Sequence, residues 1–419
     1  MITRIKIDGY KSFQDFELKM KPLMVLFGPN TSGKSNLLDA LRLISLVGTE
    51  KDMKEVFKKH RGRAKESLWR KELSSSSKSS YMSFEADVEL NDDVCKQVED
   101  RISELRSGLD HEKQGGKKTM IHEKNLRYSF ELEVQASGAT RVTDERLCAL
   151  TKRSPHKERA RNPFMEKMGD KIRIRKESQS HPIFQNVGLD RSVLSTSLYA
   201  PHHPHIEALK EELSRWKFYY FEPRQIMREK VPESAVDSIG ERGEDLAGFF
   251  YTLKNRSEKN FRSARQTARK LIPGIEDFDV EVDKRDAMVE LVIKESEGDF
   301  PSSLISEGTL KILGMLAIFH SLSPPALIGY EEPENGVHPE RLHLIAETFK
   351  NLARYQGCQV IVNTHSPEFV ELFDDDDLFS CRKEGGVTAI EPLGEVKPLF
   401  RKSLIKERLS DIPGMVRTR

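Results

Sequence analysis

The sequence predicts an α/β fold: a mixed sheet core accompanied by an antiparallel β subdomain and a helical insert. Three observations carry that expectation. A glycine-containing loop, Gly28-Pro29-Asn30-Thr31-Ser32-Gly33-Lys34-Ser35, lies between a strand-like run, Pro22 to Phe27, and an apolar helix with Leu37, Leu41 and Ile44 on one face. In the last third, short apolar strands alternate with helices, the pattern of a parallel sheet buried on both faces. Two segments of alternating polarity, Tyr81 to Leu90 and Leu126 to Val134, read as half-exposed antiparallel strands.

In chain order, Ile5 and Ile7 mark a first strand, and Gly9 to Phe13 a turn into the second. After the loop and its helix, residues 51 to 71 read as a charged helix, and Ser74 to Ser80 as a flexible serine linker. A polar helical insert separates the two alternating strands. Residues 138 to 217 read as polar and irregular, with one modest amphipathic helix over 203 to 217. An aromatic strand follows at Phe218 to Phe221, then helices over 234 to 272 that stop at Pro273-Gly274. Phe278 to Lys294 reads as a hairpin. The remainder gives a helix after Ser306, a strand at Ala326 to Tyr330, a helix from Pro339 and a strand at Val360 to Asn363. Pro339 suits a first helical position, Leu342, Ile345, Phe349 and Leu352 form one face, and Gly357 is placed to end the helix in a left-handed conformation. The expected division is 1–137, 138–274 (mixed and mainly helical) and 275–419.

Bulk properties exclude several classes. The 68 basic and 67 acidic residues leave a net charge of +1 over 419 residues, which argues against a wholly basic nucleic-acid binder and an acidic tail. Cys95, Cys148, Cys358 and Cys381 form no CxxC pair, so neither a zinc site nor a disulfide framework is expected. The N-terminus lacks a signal-peptide core, and the longest apolar run, Ile312 to Phe319, is far short of a membrane span. The expectation is a soluble, cytoplasmic protein with reduced thiols.

The loop fits G-x-x-x-x-G-K-[ST]. Its glycines let backbone N–H groups wrap a phosphate at the positive end of the following helix; Lys34 reaches the β- and γ-phosphates, and the Ser35 hydroxyl is a ligand for Mg²⁺. Ala326 to Tyr330 ends in Glu331-Glu332. At the carboxyl end of a parallel strand these would face the ligand crevice, Glu331 toward Mg²⁺ and Glu332 as a proton acceptor for water. His365 ends the next strand, where it could orient the water or stabilise developing charge. Ser306 is a natural N-cap, and Ser306-Glu307-Gly308 at a helix N-terminus offers an anion site, a weak signal taken by itself.

Taken in order, GPNTSGKSN, ISEGTLK, ALIGYEEPENGVHP and VIVNTHSPEF resemble the ABC-type ATPase heads of the RecF, SMC and OLD (overcoming lysogenization defect) families, and within them most resemble compact OLD-like ATPases of prokaryotic antiphage modules. The resemblance covers about residues 1–50 and 300–375. It implies a P-loop NTPase of ABC-ATPase type that uses ATP and Mg²⁺. In it, Gly28 to Asn36 are the Walker A loop, Ser306 to Thr309 the signature, Glu331 the Walker B acid, Glu332 the catalytic base, Pro333 to His338 the D-loop and His365 the switch histidine. Gln225 is the candidate Q-loop metal contact. The pattern departs from transporter ATPases in having Glu331 where aspartate is usual and Glu307 where glycine is usual. Only 54 residues follow His365, too few for the TOPRIM domain of OLD nucleases, and the insert is not heptad-patterned as in SMC arms.

The implied behaviour is a homodimer or higher oligomer formed around ATP that switches a separate effector, for instance a nuclease, in antiphage defence. Alternatives are a RecF-like DNA-binding repair ATPase, a nearly non-hydrolysing scaffold and, more remotely, a small-molecule P-loop kinase. Residues 151–176 hold ten Lys/Arg against three acids, among them Lys152, Arg153, Lys157, Arg159 and Arg161, and either grip nucleic acid or form a solvated loop. His202, His203 and His205 make a poor metal set because Pro204 interrupts them, and Asp374 to Asp377 read as a solvated loop.

Overall fold

The computed structural model describes residues 1–69, 79–107, 121–151, 154–158, 163–177, 181–198, 200–393 and 405. The serine linker after position 73, and Lys152, Arg153, Arg159 and Arg161 of the basic run, lie largely outside these residues; only Ser79 and Ser80 of the linker are described, as strand. The chain forms two units, each assembled from three stretches: Met1–Lys21, Thr31–Trp216 and Cys381–Ile390 in the first, Pro22–Asn30, Lys217–Ser380 and Glu391–Arg419 in the second.

The first unit is built on an antiparallel sheet in the order Ile183–Asn186, Lys171–Ile174, Met165–Met168, Thr140–Thr151, Asn125–Gln135, Ser79–Glu89, Ile2–Asp8 and Phe16–Lys19, with Ser154–Glu158 paired to Thr140–Thr151. Alternation sets the register. Leu126, Tyr128, Phe130, Leu132 and Val134 all point inward from one strand, and Phe84 lies directly opposite Phe130 with the rings stacked 5.1 Å apart. The helix Lys34–Thr49 packs against Pro204–Ser214. Gly48 allows this approach, since a Cβ there would sit 2.7 Å from Leu213, and Ser45 Oγ donates to the Leu213 carbonyl at 2.7 Å.

Two expectations fail here for local reasons. The stretch from 138 was expected to be irregular, but it carries the strands Thr140–Thr151, Met165–Met168, Lys171–Ile174 and Ile183–Asn186. Its alternation is disguised because Glu145 occupies an inward position. That carboxylate is fully buried and accepts from Tyr128 Oη, Ser192 Oγ and the Val193 and Leu194 amides; burial pushes its pKa up. Residues 51–71 are not one helix. Met53–Lys59, capped by Asp52 accepting from Glu55 N, ends at His60, and Gly62 at φ +97° turns the chain into a single 3₁₀ turn at Lys65–Ser67.

The second unit holds the parallel strands Leu327–Glu331, Gln359–Thr364 and Leu23–Phe27, in that order, with Leu378, Phe379 and Ser380 pairing parallel beside Val25, Leu26 and Phe27. Every residue of Leu23–Phe27 and Gln359–Thr364 is buried, as a sheet covered on both faces requires. The helices Glu307–Phe319 and Leu342–Tyr355 pack with this unit's core; on the latter, Leu342, Ile345, Phe349 and Leu352 are each almost wholly buried, worth roughly 1.5–3 kcal/mol apiece. The expected start at Pro339 is a 3₁₀ turn, Pro339–Arg341, that leads into the helix, and Gly357 is left-handed at φ +62°. The aromatic strand falls at Trp216–Tyr219, and the helices expected from 234 begin only at Leu246, as Leu246–Arg256 and Glu258–Leu271. The hairpin Ile275–Asp283 and Met288–Glu295 is joined by Val231–Pro232 and Gly298–Pro301. Among the described residues no helix is long and apolar enough to cross a membrane.

In the first unit His60 bonds Tyr10 Oη at 2.9 Å and approaches the Asp39 carbonyl on the Lys34–Thr49 helix at 3.3 Å. Burial, reinforced by the Lys11 ammonium, pushes the imidazole from 6.5 down to about 4. The fold therefore favours neutral His60, and its contribution is intact above pH 6.5 and lost as pH falls toward 4. Wild type is expected to lose about 3 kcal/mol more than His60→Gln over that interval in pH-resolved urea melts; parallel pH profiles would contradict this.

Candidate functional site

Register brings the second unit's functional residues together. Parallel pairing sets Leu26 beside Asn363, Asn363 beside Glu331, and Phe27 beside Thr364. Three neighbouring strands thus end at one edge, and the chain leaves them into Gly28-Pro29-Asn30, into Glu332 and into His365. This is the edge at which ligands bind in open parallel sheets.

Glu332 takes a left-handed backbone at φ +49°, uncommon for a residue with a side chain. The turn is held because its amide donates to both the Asn363 carbonyl, at 3.0 Å, and Asn363 Oδ1, at 3.1 Å. Its carboxylate is half-exposed. Oε1 lies 3.2 Å from His365 Nε2, and Oε2 accepts from Asn335 Nδ2. The structure therefore pairs the expected base with the expected switch histidine.

The signature segment lies in the same unit. Ser306 caps Glu307–Phe319, accepting from Thr309 N at 3.2 Å and bonding Thr309 Oγ1 at 2.8 Å. Gly308 is packed beneath the turn after Glu332, where an added Cβ would meet the Gly336 carbonyl at 3.1 Å. Glu307, the departure from the usual glycine, pairs with Arg224 at 2.9 Å. Lys311, one turn further along, is buried and donates to the Asn335 carbonyl; burial lowers its pKa, while the carboxylates of Glu334, Glu332 and Glu307 oppose the shift. Gln225 is exposed at the start of the short turn Ile226–Arg228, its carbonyl accepting from Arg228 N.

The rest of the phosphate loop belongs to the first unit. Thr31, at φ +66°, and Gly33, at φ +102°, are both left-handed; a Cβ on Gly33 would fall 2.0 Å from Thr388 Oγ1, so only glycine fits. Thr388 Oγ1 donates to the Ser32 carbonyl at 2.9 Å and bonds Ser12 Oγ at 2.7 Å, and Asn36 Nδ2 donates to the same Ser12 hydroxyl. Lys34 is buried at the start of its helix, 3.5 Å from Ser32 Oγ. Ser35 and Asn36 line a cavity of about 440 Å³ with Lys11, Arg61, Trp69 and Lys383.

The donors expected for Mg²⁺, the Ser35 hydroxyl and the Glu331 carboxylate, are hard oxygen ligands. They are few enough for an ion that keeps waters and takes its other ligands from phosphate. Among the described residues no group of three or more His, Cys, Asp or Glu is placed to hold a metal by itself. The histidine cluster has structural partners instead: His205 pairs with Glu177, and His203 Nδ1 lies 2.9 Å from the Arg175 carbonyl.

Sequence reading did not find Thr388 or Ser12, and placed Glu334 and Asn335 in the D-loop segment without their contacts to Thr364, His365 and Glu332. Thr388 lies 356 residues after Ser32 and no local pattern links them. Glu334 sits inside the quoted ALIGYEEPENGVHP segment, but its role depends on a strand that begins 25 residues later.

The family described as "AAA domain, putative AbiEii toxin, Type IV TA system" matches residues 23–371. No curated protein matches the sequence. Among solved structures, the chain is similar to an Smc head bound to the C-terminal winged-helix domain of ScpA, at 12% identity and TM-score 0.53, with 93% of this chain and 96% of that one covered. A Pyrococcus furiosus Smc head with extended coiled coil, bound to the C-terminal domain of ScpA, aligns at 11% identity and TM-score 0.49 over 97% and 98%. The SMC head domain of Thermotoga maritima aligns at 14% and 0.41 over 93% and 98%. The first of these likenesses supports the expected P-loop fold of ABC-ATPase type.

Proposed function

The chain belongs to this AAA-domain family and has the fold of an ABC-type ATPase head, and from that premise we propose that it binds and hydrolyses ATP with Mg²⁺ between two copies of itself, switching a separate effector. The observation that carries the reading is the Glu332–His365 pair, 3.2 Å apart, on the strand ends next to the one that runs into the phosphate loop.

In this reading the backbone amides of Gly28 to Asn36 and the Lys34 ammonium bind the phosphates. Ser35 and Glu331 would hold Mg²⁺, with Gln225 as a further contact, and the ion when bound would neutralise charge on the β- and γ-oxygens. Glu332 accepts a proton as the water oxygen bonds to the γ-phosphorus and the bond to the β-bridging oxygen breaks. His365 orients that water or the γ-phosphate. Ser306, Glu307 and Gly308 of a second copy would close the site with the positive end of their helix.

An OLD-like role in antiphage defence follows the motif resemblance, and the Smc head recorded with ScpA is a precedent for this fold receiving a protein partner. Glu332→Gln keeps the side chain's size but removes the base. Turnover is expected to fall about 100-fold or more with ATP still bound and the ATP-loaded dimer accumulating, read by phosphate release and light scattering. Wild-type turnover in this variant would remove Glu332 from the chemistry, and multiple turnovers by wild type exclude the scaffold.

A second reading, direct nucleic-acid binding, is favoured by one feature of the first unit. Residues 51–65 hold seven Lys/Arg against two acids. Lys54, Lys58, Arg63 and Lys65 line a cavity of about 720 Å³ with Phe57. Joint reversal of Lys54 and Arg63 to Glu should weaken duplex binding and lower its salt slope by about two; an unchanged slope would reject this face.

A further inference from the structure

We propose that Glu334 is a positioning residue for His365, fixing the backbone from which the imidazole meets Glu332; this deepens the ATPase reading and rests on it. Two turns leave adjacent parallel strands, one carrying Glu332 and the other His365, and each could relax independently if sheet pairing were all that joined them. Besides the Glu332–His365 pair itself, hydrogen bonds run between them in both directions. Asn363 receives the Glu332 amide on both its carbonyl and its side-chain oxygen. In the opposite direction, Glu334 Oε1 accepts from Thr364 Oγ1 at 2.6 Å and from the His365 amide at 2.9 Å.

The Thr364 hydroxyl continues the chain of bonds. It donates to Glu334 and accepts from Ser366 N at 3.0 Å, so one carboxylate oxygen sets three consecutive residues, Thr364, His365 and Ser366. Ser366 in turn caps the short helix Pro367–Val370 through Phe369 N. The turn that presents Glu334 is itself closed, by Asn335 N to the Glu332 carbonyl at 3.2 Å and Val337 N to the Glu334 carbonyl at 3.1 Å, with Gly336 left-handed at φ +75°.

Glu334 does not serve as a general surface clasp. Its second oxygen, Oε2, is buried with no hydrogen-bond partner among the described residues. A buried carboxylate oxygen left in that state is costly, so the placement has to be maintained by what Oε1 holds. Lys311, buried on the signature helix, joins the same turn through the Asn335 carbonyl. Glu334 thus lies where the turn after the Walker B strand, the switch histidine and the signature helix meet within the second unit.

The test compares removal of the acceptor with its conservation. Glu334→Ala and Thr364→Val should lower kcat about 10–100-fold with little change in KM for ATP, while Glu334→Gln, which keeps an acceptor at Oε1, and Thr364→Ser recover most of it. A residue that acts only through His365 adds nothing once His365 is gone, so Glu334→Ala/His365→Gln should be no slower than His365→Gln. Multiplying losses would overturn the proposal. A second arm does not depend on turnover. In the nucleotide-free protein the His365 imidazole ¹⁵N signals, assigned by loss in His365→Gln, should move on Glu332→Gln and should not respond to Glu332→Gln in a Glu334→Ala background. An equal response in both backgrounds would overturn the positioning role even in a folded chain. Absent turnover in wild type would sink the ATPase reading and leave the spectroscopic arm to decide this one.

Discussion

The parallel register of three buried strands is the constraint on which the site depends. Leu23–Phe27, Gln359–Thr364 and Leu327–Glu331 pair without a shift, so Leu26, Asn363 and Glu331 stand side by side. A slip of one residue in either pairing would turn every side chain of a strand to the other face and separate Glu332 from His365. Burial on both faces resists such a slip, since every residue of Leu23–Phe27 and Gln359–Thr364 and all of Leu327–Glu331 but its last residue are buried. Chemistry at the edge is therefore fixed by packing in the middle.

The backbone beyond the strands is specified with the same economy. Glu332 is left-handed and held by Asn363, Gly33 is left-handed and backed by Thr388, and Gly308 lies against the Gly336 carbonyl. At Glu332 such a backbone costs local strain and persists only when its surroundings over-determine it, whereas the two glycines are required by the close approach of a neighbouring atom to where a Cβ would sit. Each of these three lies in a segment the sequence had singled out for chemistry, and each has a hydrogen bond or a close contact from a distant part of the chain.

That distance explains what was legible in the sequence. The phosphate loop, the paired glutamates, the Ser306 cap and the Pro339-to-Gly357 helix were readable because each is a local pattern whose physics needs only its neighbours. The parallel core was readable because strands buried on both faces are continuous apolar runs. The antiparallel lobe was half readable. Tyr81–Leu90 and Leu126–Val134 alternate cleanly, whereas Thr140–Thr151 hides its inward face behind Glu145, whose partners at 192–194 only the fold supplies. The contacts of Thr388 with Ser32 and of Glu334 with Thr364 and His365 were invisible for the same reason. In place of a continuous helix at 51–71 stand the helix Met53–Lys59, which ends in extended backbone at His60, and the 3₁₀ turn Lys65–Ser67, with left-handed Gly62 between them.

The central claim is that each ATP is shared by two copies, the phosphate loop from one and the Ser306 helix from the other. Mixing a Lys34→Ala chain with a Ser306→Arg chain tests it most directly. In the mixed dimer one composite site carries both lesions and the other carries neither. The account predicts that neither variant associates on ATP by itself and that the mixture does, read as ATP-dependent dimer by sedimentation. A Ser306→Arg chain that hydrolyses ATP at the normal rate as a strict monomer would contradict it.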